Sequence, residues 1–154
     1  MSESRAPTYV ESTIIMTTVR VISPFVFTYG LYIMFHGSAS AGGGFQGGVI
    51  LAASLILVAF AFGIEPTREW LADRPARVLI VAGGATFVSI GLIPLALGGV
   101  FLEYDMYTFH HGPKYAIELV ELGIGAIVFG VILSLFMSLS AGYEWSEETG
   151  GEQA

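Results

Sequence analysis

The chain reads as an all-α integral membrane protein with four transmembrane helices and both termini on the cytoplasmic side. Three observations carry this reading. Charged residues are only 12% of the 154 and hydrophobic ones 54%, with a mean hydropathy of +0.72, too apolar for a soluble domain of this length. The apolar residues gather into four runs, each near the roughly 20 residues that a helix needs to cross a hydrocarbon core about 30 Å thick. With four crossings, Arg5, Arg20, Arg68, Arg74 and Arg77 share one side and Lys114 alone takes the other, so the arginine side is expected to be cytoplasmic.

The same composition excludes several function classes. A net charge of −7 with six basic residues gives no footprint for a nucleic-acid backbone. The absence of cysteine removes disulfides, thiolate metal sites and iron–sulfur clusters. The polar, acid-bearing start MSESRAPTYVES lacks the basic region of a cleaved signal peptide, so the first apolar run is expected to be kept as a helix.

A membrane domain is expected over 1–142, with helices at about 13–36, 47–63, 78–97 and 115–139, followed by an acidic cytoplasmic tail over 143–154. The first helix contains Pro24, which should kink it; hydroxyls such as Thr18, Ser23 and Thr28 can serve the freed backbone groups. Arg20 lies close enough to the helix start to snorkel to the interface, the alternative being a buried functional arginine. The second helix has no ionisable residue, but its start carries small pairs four apart: Gly43 with Gly47, Gly44 with Gly48, and Gly48 with Ala52. That spacing lets a partner helix approach the backbone closely. The loop EPTREWLADRPAR brings three arginines and Trp70 to the interface and is compatible with a short surface helix before Pro75. The third helix is uncharged and structural in character, bent near Pro94. In the aromatic loop that follows, His110 and His111 are adjacent, expected to point apart, and lack the spacing of a helical metal pair.

Two stretches call for more than generic membrane packing. Between the first two helices lies HGSASAGGGFQGG, from His36 to Gly48, whose glycines Gly42, Gly43, Gly44, Gly47 and Gly48, with Phe45 among them, imply crowding or positive backbone torsions. In the fourth helix Glu118 and Glu121 lie one turn apart on one face, about a turn inside its start. An ionised side chain at depth costs about 2.5–3.5 kcal/mol on insertion scales, so such acids should pair, protonate or meet water. Lys114, four residues before Glu118, supplies one partner; the bland alternative is two solvated acids at a helix start. The topology puts His36, the glycine stretch and the loop before Glu118 at one end of the bundle, where they could meet.

The HG at His36–Gly37 followed by GGGFQGG at Gly42–Gly48 resembles the signature of the MnhB/MrpB family, the B subunit of Mrp-type multisubunit sodium/proton antiporters. The resemblance extends over most of the chain: the kinked first helix, the basic middle loop, and the segment ELGIG of the fourth helix, where Glu121 stands at the family's acid. Ala41 occupies the place where the family usually has a proline. The resemblance implies a small subunit of a cytoplasmic-membrane complex that exchanges Na+ for H+, with other antiporter subunits and membrane lipids as its partners. It also implies no cofactor beyond the transported ions. Related modules occur in energy-converting membrane hydrogenases, where the same chain would be mainly a scaffold.

Four helices without an internal repeat or a midplane charge make a poor complete transporter, and no nucleophile–base pair suggests an enzyme. The chain is therefore expected to be non-catalytic. Two readings of its role remain: an ion pathway through Glu118, Glu121, His36 and Lys114, or a scaffold docked through Gly42, Gly43, Gly44, Phe45, Gly47 and Gly48.

Overall fold

The computed structural model describes residues 12–37, 41–71 and 73–150, with backbone alone at 73 and 141–150. Arg5, residues 38–40 of the glycine stretch and Glu152 of the tail lie outside the described residues. The elements are α1 (Thr13–Phe35), α2 (Gly44–Phe62), α3 (Ile64–Leu71), α4 (Asp73–Ala96), a 3₁₀ turn (Tyr104–Met106) and α5 (Gly112–Gly150). Four stretches are long and apolar enough to cross a membrane: Thr13–Phe35, Gly44–Phe62, Arg74–Ala96 and Gly112–Ser140.

Three helices start earlier than the apolar runs indicate. Pro75 and Pro113 stand in the first turns of α4 and α5, where the missing N–H is unneeded and the fixed φ favours the helix. Both helices therefore begin earlier than expected, at Asp73 and Gly112. α2 begins at Gly44 because the backbone turns one residue before it, at Gly43 with φ +127°. At the other end, the α5 backbone runs on to Gly150, into the stretch expected to be an acidic tail. The segment AGYEWSEET has no proline to stop it.

The helices pack as α1 on α2, α2 on α5 and α5 on α4, so α2 and α5 are central and α1 and α4 flank them. Small residues set each contact. Gly30 of α1 lies against Leu51 of α2, where a β-carbon would stand 3.0 Å from the leucine side chain. Between α4 and α5 the approach is reciprocal: a β-carbon on Gly83 would be 2.5 Å from Gly123 O, and one on Gly123 2.8 Å from Gly83 O. Two apolar clusters lie toward opposite ends of the apolar span Gly112–Ser140 of α5, Ala59 with Leu133 and Met137 near α3, and Ile90 with Ala116 and Val120 beneath the 3₁₀ turn.

The short surface helix expected before Pro75 is α3. Thr67 Oγ1 donates to Gly63 O at 2.7 Å, and Arg68 Nη2 donates to Met137 O at 2.9 Å, tying α3 to α5. Trp70 is left 75% exposed, as an interfacial anchor should be. On α1, Arg20 is exposed, with its guanidinium 5.3 Å from the Phe62 ring at the end of α2. Around Pro24 the hydroxyls behave differently from one another. Thr28 Oγ1 donates to Pro24 O at 2.8 Å, whereas buried Ser23 Oγ has no partner among the described residues.

Candidate functional site

The connection from α1 to α2 is folded back on the helix it leaves. His36 N–H donates to Tyr32 O at 3.1 Å and Gly43 N–H to Ile33 O at 3.3 Å, clamping the stretch to the last turn of α1. Gly43, at φ +127° and ψ −175°, occupies a region that side chains rarely enter. A β-carbon on Gly44 would run into the Glu121 carbonyl oxygen, and one on Gly48 would stand 2.6 Å from Gly125 O. Gly47 faces the other way, toward Met34 of α1, at 2.5 Å from Met34 Cβ. The close approach that the four-residue spacing predicts is thus made within the chain, to α5 and α1.

Glu121 sits where these surfaces converge. A β-carbon on Gly37 would overlap Glu121 Oε2, and one on Gly43 would be 3.5 Å from Oε1, so the carboxyl group lies against bare glycine backbone. Oε2 is buried and has no hydrogen-bond partner among the described residues. A carboxylate in that state is costly, and the cost falls only if a proton, a cation or a donor reaches it. The 3₁₀ turn also packs on α5, with Tyr104 against the cluster of Ile90, Ala116 and Val120. Burial pushes the Tyr104 hydroxyl above its ordinary pKa, and the nearby Glu121 charge pushes it further. Tyr107 is raised chiefly by burial, and its hydroxyl donates to Ile90 O at 2.7 Å.

The expected residues divide by depth. Lys114 Nζ lies 3.7 Å from Glu118 Oε1 in a partly exposed pair, one turn nearer the helix end than Glu121. His36 rests on α1: its ring stacks on Tyr32 at 4.1 Å between centroids, and Nδ1 lies 3.1 Å from Tyr32 O. Gly42 packs on Ile33 and Phe45 is 61% exposed. His110 and His111, expected to diverge, meet edge to face with centroids 3.9 Å apart, because His111 turns the chain at φ +58°. Among the described residues no group of three or more His, Cys, Asp or Glu is placed to hold a metal ion.

Two residues of the site escaped the sequence reading. Gly37 is in the signature, but its sequence position does not reveal that it meets α5. Tyr104 is one of several aromatics in its loop, and nothing local to it signals that the loop packs back on α5.

Residues 14–134 match a family model described as "Domain related to MnhB subunit of Na+/H+ antiporter". A Staphylococcus aureus (strain MRSA252) protein named "Putative antiporter subunit mnhB2" is 33% identical over 138 residues, covering 86% of this chain and 97% of that one. Its Staphylococcus haemolyticus namesake is 33% identical over 139 residues, with the same coverage. Among solved structures, a chain of the membrane-bound sulfane sulfur reductase, an archaeal respiratory membrane complex, aligns with a TM-score of 0.62 at 25% identity. The alignment covers 88% of this chain, which spans 63% of the archaeal one.

Proposed function

The chain belongs to the MnhB family of Na+/H+ antiporter subunit domains, and on that premise we propose that it is an ion-pathway subunit of a multisubunit Na+/H+ antiporter. It works in the cytoplasmic membrane with both termini inside, as the arginine asymmetry supports. It carries out no covalent chemistry. The observation that carries the reading is the Glu121 carboxyl: inside a membrane span, packed against glycine backbone, with one buried oxygen lacking a hydrogen-bond partner among the described residues. A carboxyl so placed can exchange a proton or a partly dehydrated sodium ion, because either relieves the same unmet charge. Glu118 with Lys114 forms the outer approach, His36 stands at its rim, and the glycines hold the helices close enough to shape it.

A second reading makes the chain a mainly structural subunit of a respiratory or hydrogenase-type complex, favoured by its likeness to the archaeal respiratory chain. One preparation separates the two. The complex is purified through a tag on this chain, its other subunits are identified by mass spectrometry, and it is reconstituted in proteoliposomes. The antiporter reading expects antiporter-type subunits and proton movement driven by a sodium gradient alone. Redox subunits, with proton movement only during electron transfer, would support the second.

A further inference from the structure

The bare backbone at Gly43 leaves a space that two side chains face. A β-carbon built there would stand 3.5 Å from Glu121 Oε1 and 3.7 Å from Gln46 Oε1, so one vacant point lies close to both oxygens. The two differ in depth. Gln46, in the first turn of α2, is exposed, whereas Glu121 Oε2 is buried against Gly37 with no partner among the described residues. The N–H of Gly43 itself is committed to Ile33 O at 3.3 Å. Two acceptor oxygens therefore share a space into which that donor does not turn. An amide oxygen is too weak a base to hold a proton near neutral pH, but like a carboxylate it is a good ligand for a hard cation. The charge count points to a monovalent one. Among the described residues no group of three or more His, Cys, Asp or Glu is placed to hold a metal ion, and Glu118, one turn away on α5, is paired with Lys114 at 3.7 Å.

We propose that Glu121 Oε1 and Gln46 Oε1 are ligands of one sodium ion, held in the space that a side chain at position 43 would fill, with water completing its shell. Gln46 is the outer ligand, replacing part of the ion's hydration as it enters. Glu121 is the inner one, where the ion neutralises the buried carboxylate. Gly43 is then bare for two reasons: its φ of +127° and the room the ion needs. The inference rests on the reading of Glu121 as an ion-pathway carboxyl and adds to it the ion and a second ligand.

The test needs no transport. In the purified complex at fixed pH, a hydrophobic carbodiimide labels Glu121 when its carboxyl is protonated, and a bound sodium ion protects it. Mass spectrometry of the labelled peptide gives the sodium concentration that halves the labelling, with choline as the control for ionic strength. Gln46→Met keeps the length of the side chain and removes the oxygen, so the half-protecting concentration should rise by about tenfold. Gln46→Glu adds a charged oxygen at the same reach and should lower it. Where Gln46→Met does not assemble, Gln46→Glu decides: an unchanged or raised half-protecting concentration overturns the proposal. So does an unchanged value in an assembled Gln46→Met complex, or a wild type that sodium protects no better than choline. Slowed exchange in Glu121→Gln without sodium protection of the wild type leaves the pathway reading and removes only the sodium site. Unchanged exchange in Glu121→Gln, with protection that shifts in Gln46→Met, defeats the pathway reading and leaves the sodium site standing.

Discussion

Gly44 and Glu121 account for each other. Gly44 lacks the atom that would strike the backbone carbonyl of residue 121, while Gly37 and Gly43 leave open the place that its carboxyl group occupies. Overpacking of this kind costs about 1–3 kcal/mol, so Gly44→Ala should lower the thermal midpoint of the purified complex, and Gly44→Leu should prevent assembly on a native gel. Gly43→Ala should also destabilise, by about 1–2 kcal/mol, but through backbone strain at φ +127° and not through contact. Ser23→Ala should do the reverse. Its hydroxyl is buried without a described partner, so removing it should leave the midpoint equal to or above that of the wild type. A clear drop for Ser23→Ala would mean that a partner outside the described residues serves that oxygen.

Among the helices, what could be read beforehand was what periodicity and length control. Four apolar runs, a surface helix with Trp70, and a small-residue seam opening α2 all follow from local pattern, and all are present. The boundaries are less legible, because the helix starts at Pro75 and Pro113 lie outside the apolar runs, and a first-turn proline marks a helix start as readily as a break. Which glycine faces which helix is not a local property. Gly44 and Gly48 turn to α5, Gly47 to α1, and Gly83 meets Gly123, pairings that only the assembled bundle decides. Of the candidate site, the acids and the glycine stretch were visible as types, whereas their convergence on one carboxyl through Gly37 was not. The reciprocal Gly83–Gly123 contact also makes a prediction: Gly83→Val should push α4 from α5 and lower the thermal midpoint, while Gly84→Ala, with nothing within 4 Å of its β-carbon, should not.

For the whole molecule, membership of an antiporter-subunit family fits a chain with extensive apolar surface and little charge. α1 and α4 flank the bundle with large side chains exposed, among them Phe25, Tyr29, Val78 and Val81, surface suited to lipid or to neighbouring subunits. The lack of native cysteine allows a direct test of orientation. In intact cells a membrane-impermeant maleimide should label His110→Cys, whereas Arg74→Cys should react only after the membrane is opened; the opposite pattern would invert the topology.

The most direct measurement is sodium-dependent proton exchange by the assembled complex in proteoliposomes, comparing wild type with Glu121→Gln and Glu118→Gln at equal subunit content. Replacing the buried acid removes a charge-assisted interaction with the ion worth about 1.5–3 kcal/mol, so Glu121→Gln should slow exchange by about tenfold or more. Glu118→Gln, which alters a partly exposed pair, should have a smaller effect. Wild-type exchange by an assembled Glu121→Gln complex would contradict the placement of the ion route at Glu121.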